Sequence, residues 1–447
     1  MTTAPPGVRP GMVTDLYELT MAAAYHAEGL EHEASFELFV RGMPPERRFL
    51  VAAGLDDALT GLEALRFEPE DIDYLASLGT FSDAFLGRLA GLRFTGEVWA
   101  VPEGEVVFAS EPLLRVTAPL VEAQVVETFL LNCLASRTML ASKAARVAIA
   151  CGERDFVDFS ARRDHGVDAA MAAARAAWIC GAAGTSLLAA GQRWGIPVTG
   201  TMAHSFVMSF DREVDAFRSY ARAFPDRVVL LIDTYDTLEA THRVVDVARE
   251  LAGEDITVAG VRLDSGDVRE LSCKVRAVLD EAGLVDVRVI ASGDLDEHRI
   301  ARLLADGAAI DAFGVGTQLG TSADAPVLGA VYKLVADADG PKMKLAPGKA
   351  SLPGCKQVWR LGDRDVLSRH DEEVPGGRPL LRRVMAGGRR LDAPDRLDDI
   401  RARCTAALRD LPAPLRSLEP APTPPWPVDV APGLAALVDR IRSGRAT

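Results

Sequence analysis

From Cys151 to Val335, short apolar runs alternate with amphipathic stretches, and nearly every apolar run stops on a polar or glycine cluster. The runs at 155–159, 196–200, 228–233, 259–264, 287–292, 310–315 and 328–335 read as strands. Between them, 167–190, 211–224, 236–252, 267–283 and 294–305 read as helices. A repeated strand–helix alternation requires parallel strands joined by crossover helices. Two architectures satisfy that, an open doubly wound sheet and a barrel. In a barrel every strand ends at one mouth; in an open sheet only the ends at the switch point share a ligand. The clusters recur at strand after strand, so the pattern predicts an irregular α/β barrel, with fewer than eight strands.

The remainder divides around that segment. Residues 1–11 form a Pro/Gly-rich stretch expected to be a flexible arm. Strands and helices mix without strict alternation over 12–125, which predicts an α+β sandwich domain. Its first helix is expected to start at Thr14-Asp15, and Tyr17 on it reads first as a packing aromatic. A long helix over 121–150 leads into a barrel domain assigned to 126–335. Residues 336–400 are expected to return to the first domain, and 401–447 to be a Pro-rich tail with a short helix at its end.

The totals exclude several functions. Sixty-four acidic residues against 50 basic ones leave a formal net charge of −14, with no basic stripe to meet a nucleic-acid backbone. No apolar run is long enough to cross a membrane. The six cysteines lie far apart without a CxxC pair, which argues against a zinc knuckle and for reduced cytosolic thiols.

The clusters suggest anion chemistry. Ser292-Gly293-Asp294 and Gly316-Thr317 follow two consecutive late strands. Their free backbone N–H groups at helix starts suit a phosphate. Asp236 and Asp267 read first as helix N-caps. Asp233 and Asp264 fall on the last strand residue and face the mouth. Carboxylates beside a phosphate suggest Mg²⁺. Arg162 and Arg262, from separate strand ends, form a fork for a carboxylate or phosphate. His204 lies in Gly200-Thr201-Met202-Ala203-His204-Ser205-Phe206-Val207. It has no second histidine at ligand spacing, so it reads as a base or a covalent phosphate carrier. A phosphorylated, acidic ligand and transfer chemistry follow, without the reaction being named.

Several stretches are similar, in order, to the motifs of the nicotinate phosphoribosyltransferases. They are Thr14-Asp15-Leu16-Tyr17, Phe39-Val40-Arg41, Asp158-Phe159, the His204 stretch, Asp233-Thr234-Tyr235-Asp236, Val261-Arg262-Leu263-Asp264-Ser265-Gly266-Asp267 and Gly314-Val315-Gly316-Thr317. The resemblance covers most of the chain. It implies the type II phosphoribosyltransferase fold, an irregular α/β barrel beside an α/β sandwich domain. It implies transfer of the 5-phosphoribosyl group from 5-phosphoribosyl pyrophosphate (PRPP) to nicotinate, giving nicotinate mononucleotide and pyrophosphate for NAD salvage. ATP would be co-substrate through phosphorylation of His204, with Mg²⁺ at Asp233 and Asp264. Asp233 would also orient His204. Phe159, and Tyr17 from the second subunit of a cytoplasmic homodimer, would sandwich the pyridine ring. Arg162, Ser186, Thr201 and Arg262 would contact substrate, and Asp264 the ribose. Ser292, Gly293, Asp294, Gly316 and Thr317 would hold the 5-phosphate. Arg41 and Lys344 or Lys349 would face pyrophosphate.

Related nicotinamide enzymes carry an aspartate after a Gly-Thr pair; here Gly184-Thr185 is followed by Ser186, which favours the acid over the amide. A non-catalytic nucleotide- or phosphosugar-binding relative would be expected to lose His204, Arg262 or Asp264, and all three are present. An aldolase or isomerase would need a strand-end lysine or glutamate, which the barrel strands lack.

Overall fold

The computed structural model describes residues 9–346, 351–419 and 424–444. They fall into two compact units, one formed by the chain up to Ser142 and again from Ala325, the other by Lys143–Asp324.

In the first unit an antiparallel sheet orders its strands Gly340–Pro341, Ala330–Asp337, Glu33–Val40, Pro112–Pro119, Glu97–Ala100, Arg382–Ala386 and Arg389–Arg390. Leu38, Leu114, Val116, Val98 and Met385 feed one continuous core. Helix Leu16–Ala27 lays Leu19 and Ala22 into it and leaves Tyr17 47 % exposed. The run expected as a last barrel strand, 328–335, is not in the barrel. Ala330–Asp337 pairs with Glu33–Val40, and Tyr332 stacks on Phe36 at 4.9 Å. Hydrophobic runs state that a strand is buried, not which sheet buries it.

Three other local expectations change. Arg9 is anchored rather than loose: its guanidinium donates to both oxygens of Asp71 at 2.7 and 2.8 Å, and Pro10 and Gly11 are buried. Residues 1–8 lie outside the described part. Leu397–Asp410, expected to be tail over 401–410, is a helix that buries Ile400, Cys404 and Leu408. Val428–Val430 then adds a parallel strand beside Asp365–Arg369, followed by helix Pro432–Gly444.

The second unit holds the parallel strands β1 (Asp155–Asp158), β2 (Gly184–Thr185), β3 (Val228–Leu231), β4 (Val258–Leu263), β5 (Arg288–Ala291) and β6 (Ala312–Val315). Their hydrogen-bonded order is β2-β1-β6-β5-β4-β3, with Val198 bridging to Thr185 beyond β2. That order is cyclic in sequence, because β1 pairs with both β2 and β6. An open doubly wound sheet would instead reverse direction at a switch point. The curled sheet follows barrel order, as expected, with one seam between the Val198 segment and β3 that carries no ladder among the described residues. The 167–190 helix is in fact two, Val167–Ile179 and Leu188–Trp194, with β2 between them. Two residues of strand leave almost no periodic signal. Asp236, Asp267 and Asp296 cap their helices: their carboxylates accept from Leu238 and Glu239, from Glu270, and from Arg299 N–H respectively.

Candidate active site

A cavity of about 400 Å³ opens at the C-terminal ends of these strands. Phe159, Ala161, Arg162, Ser186, Gly200, Thr201, Met202, Ala203, His204, Arg262 and Asp264 line it. Seven of the residues singled out from sequence therefore share one wall-to-wall site.

The β1 end builds one side. Asp158 is buried, and it accepts from Ser160 N–H at 3.0 Å, Ser160 Oγ at 2.6 Å and Thr185 Oγ1 at 2.7 Å. Burial raises its carboxyl above the usual range, while the Ser160 and Thr185 bonds oppose the rise. Its own carbonyl accepts from Ser186 N–H at 2.9 Å. One aspartate thus fixes both Phe159 and Ser186 at the rim. The Asp-x-Ser spacing is the sequence signal for such a turn. The Phe159 ring lies against Gly314, where a Cβ would meet ring carbons at 2.5 Å. Gly314 thus makes room for the ring.

Arg262 leaves β4 and reaches across to the His204 stretch. It donates to Thr201 Oγ1 and, at 3.0 Å, to Met202 O. Burial pulls its guanidinium below the ordinary value, Arg162 adds to the pull, and Asp264 and Asp233 resist it. The clamp pins the segment that carries His204, the first residue of helix His204–Met208.

Asp233 does not orient His204 here. Its Oδ2 accepts from Asp264 N–H at 2.9 Å and Ser265 Oγ at 2.7 Å, so it holds the β4 turn. The partner of His204 Nδ1 is Thr234 Oγ1, at 3.2 Å. The next residue along the chain takes the position expected of the aspartate, and only side-chain direction decides between them. Asp233 Oδ1 is buried and has no hydrogen-bond partner among the described residues.

Asp264 Oδ1 accepts from Ser292 Oγ at 2.5 Å. Gly293 has φ of +90°, and a Cβ there would meet Asp264 O at 2.0 Å. Asp294 also adopts positive φ, at 45°, and the helix cap is Asp296. Gly316 N-caps the short helix Thr317–Gly320 on the neighbouring β6. Ser292, Gly293, Asp294, Gly316 and Thr317 thus follow adjacent strands β5 and β6, yet they do not line the cavity itself. Tyr17 and Arg41 belong to the other unit; Lys344 does too, and Lys349 lies outside the described residues. No cluster of three or more His, Cys, Asp or Glu side chains suited to a metal occurs among the described residues.

Comparison with known proteins gives a consistent result. The family models for the nicotinate phosphoribosyltransferase (NAPRTase) N-terminal domain and the nicotinate phosphoribosyltransferase (NAPRTase) family match residues 12–135 and 155–336. The chain is 51 % identical over 415 residues to nicotinate phosphoribosyltransferase pncB2 of Mycobacterium tuberculosis, covering 91 % of this chain and 89 % of the relative. It is 46 % identical over 376 residues to the nicotinate phosphoribosyltransferase of Bacillus subtilis, covering 81 % and 76 %. It also superposes on the human nicotinic acid phosphoribosyltransferase crystal structure with TM-score 0.86 at 30 % identity, covering 96 % of this chain and 99 % of that one.

Proposed function

The chain belongs to the nicotinate phosphoribosyltransferase family, and from that premise we propose that it joins nicotinate to the 5-phosphoribosyl group of PRPP, releasing pyrophosphate and supplying nicotinate mononucleotide to NAD salvage. The observation that carries this reading is the single cavity lined by Phe159, Arg162, Ser186, His204, Arg262 and Asp264. Its volume, about 400 Å³, suits a pyridine ring and a ribose.

In this reaction the C1–oxygen bond of PRPP breaks as the ring nitrogen of nicotinate attacks. Positive charge builds on the sugar and negative charge on the leaving pyrophosphate. The ring nitrogen carries a lone pair already, so no general base is required. Phe159 would stack on the pyridine, its ring held against Gly314. Arg162 and Arg262 would face the nicotinate carboxylate, which Ser186 admits without repulsion. Thr201, already bonded to Arg262, would set the edge of that subsite. Asp264 would meet the ribose hydroxyls, and Ser292, Gly293, Asp294, Gly316 and Thr317 the 5-phosphate. We assign Arg41 and Lys349, with Lys344, to pyrophosphate.

Mg²⁺ fits Asp233 and Asp264. Two carboxylates plus substrate phosphate oxygens are the donor set this ion prefers, and the unpartnered buried Asp233 Oδ1 has lone pairs to offer. When bound it would neutralise charge on the pyrophosphate.

ATP would enter through His204. The γ-phosphoryl group would pass from ATP to the imidazole, with ADP as the leaving group, and then to water as inorganic phosphate; while it stayed on His204 it would add charge beside the PRPP site. Arg262 would hold the histidine segment steady through Thr201 and Met202. A homodimer, with Tyr17 of one subunit closing the ring site of the other, agrees with the exposure of that side chain. We place the enzyme in the cytoplasm, in keeping with six cysteines spread along the chain without a CxxC pair. No helix among the described residues is long and apolar enough to cross a membrane.

The test is mononucleotide formation from PRPP with nicotinate and with nicotinamide, each with and without ATP. Turnover of nicotinate alone, raised by ATP, is the expected result. A preference for nicotinamide would overturn the role given to Ser186. No turnover with either base would leave a binding protein rather than an enzyme.

A further inference from the structure

Two turns on different strands can grip one phosphate only if their spacing is fixed to a fraction of an ångström. The barrel unit contains a buried ion cluster attached to both. Lys143 and Arg146 stand one turn apart on helix Glu127–Cys151, with side chains 2 % and 4 % exposed. Both reach Glu297, which is fully buried at the start of helix Glu297–Ala305. Lys143 Nζ lies 2.5 Å from Glu297 Oε2, and Arg146 Nε donates to Glu297 Oε1 at 2.8 Å. Lys143 Nζ also lies 2.9 Å from Asp324 Oδ1. Arg146 Nη2 is 3.2 Å from His298 Nε2.

The two acids sit just downstream of the two turns. Glu297 follows Ser292-Gly293-Asp294 in sequence, and Arg299 of the same helical turn donates to Gly293 O at 3.1 Å and Asp294 O at 3.4 Å. Asp324 follows the short helix that opens at Thr317. One ammonium group therefore contacts an acid downstream of each turn.

We propose that Lys143 is a positioning residue that ties the Ser292–Asp294 turn, through Glu297, to the Gly316–Thr317 turn, through Asp324, and so sets the spacing of the donors for the 5-phosphate of the phosphoribosyl substrate. This rests on reading those turns as the phosphate site. Burial alone would raise the Glu297 carboxyl; Lys143 and Arg146 outweigh it and hold the group below its ordinary value. The Glu297 carboxylate is thereby favoured over its neutral acid, and taking a charged pair out of water is costly. Apolar side chains of the same volume would stabilise the unit as well or better. What the charges add is a tether: Lys143 meets both acids only while the two turns stay within reach of one ammonium group.

A purely structural cluster and a positioning one respond differently to Lys143→Met. Steady-state KM for PRPP and for nicotinate, and calorimetric Kd for ribose 5-phosphate, separate them. The expected result is a rise of about tenfold or more in KM for PRPP and in Kd for ribose 5-phosphate, with KM for nicotinate within about twofold. Lys143→Arg should recover most of the loss. If Lys143→Met does not fold, Asp324→Asn removes one arm at constant volume and should shift the same two constants about threefold. A lowered melting temperature with both constants unchanged, or equal rises for both substrates, overturns the proposal. Ribose 5-phosphate binding needs no turnover. If the wild-type protein binds it but forms no mononucleotide, the reaction assigned above falls while the Lys143 result still stands. If the wild-type protein fails to bind it, the phosphate site and this proposal fall together.

Discussion

His204 Nδ1 meets Thr234 Oγ1 at 3.2 Å, and the contact spans the seam where the parallel sheet has no ladder among the described residues. One residue comes from the segment after Val198, the other from the end of β3. The histidine read as the phosphoryl acceptor is therefore held by a hydroxyl, not by the neighbouring carboxylate. A hydroxyl can donate or accept, so it can follow a change of tautomer. His204→Ala should abolish the ATP effect on mononucleotide formation and leave the ATP-independent rate measurable. Thr234→Val should weaken ATP stimulation about three- to tenfold, as loss of one hydrogen bond worth about 1 kcal/mol implies. An unchanged ATP effect in His204→Ala would remove the histidine from the coupling step.

Ser186 sits at the cavity rim, its N–H bonded to the Asp158 carbonyl. Ser186→Asp would place a carboxylate where, under the proposed function, nicotinate presents its own. The expected outcome is a loss of about ten- to a hundredfold in kcat/KM for nicotinate, with a smaller loss or a gain for nicotinamide. Parallel steady-state assays with both bases read the ratio, and equal losses would show that Ser186 does not face the ring substituent.

Gly314 carries the Phe159 ring at a distance that leaves no room for a methyl group. Gly314→Ala should push the ring off its seat and raise KM for nicotinate at least about fivefold, with KM for PRPP less affected, since overpacking of this kind costs about 1–3 kcal/mol. Gly293→Ala is the complementary variant. Its φ of +90° and the approach to Asp264 O strain any side chain, so it should impair PRPP binding and lower stability by about 1–3 kcal/mol.

Glu18 titrates in an accessible range. Burial raises its carboxyl to about 7, against the opposing bonds from Thr128 and Thr14, and Glu127 adds to the rise. The native state then keeps a proton that the unfolded chain releases at its ordinary carboxylate pKa. Stability contributed by that proton is complete at low pH and is lost as pH rises towards 7. The fall should reach up to about 3 kcal/mol across that window and level off above it. Urea unfolding at several pH values measures the slope, and Glu18→Gln should flatten it. A wild-type stability that rises over the same interval would contradict the assignment.

Most of the site's membership follows from strand ends. A chain whose apolar runs stop on Asp158-Phe159, Asp233, Arg262-x-Asp264, Ser292-Gly293-Asp294 and Gly316-Thr317 announces a mouth, because side-chain period and βα alternation are local properties of sequence. The caps Asp236 and Asp267 are legible for the same reason: each acts on N–H groups two or three residues away. Strand β2 was hidden, being two residues long, and the 330–337 strand looked like a barrel strand because burial does not identify the partner sheet.

What the tertiary structure alone decided are relations between distant segments. Sequence placed His204, Thr234 and Asp233 near one another by strand order, but only side-chain direction gave the histidine to Thr234 and the aspartate to the Asp264–Ser265 turn. Sequence showed glycine at 314, but only the packing of β1 against β6 made it the seat of Phe159. Lys143, far upstream on a helix, meets Glu297 and Asp324 through the folding of the barrel and by no local rule. Period, capping and turn chemistry act over a few residues and are written in order along the chain. Contacts made at ångström precision across strands depend on every element between them, and no short window of sequence contains them.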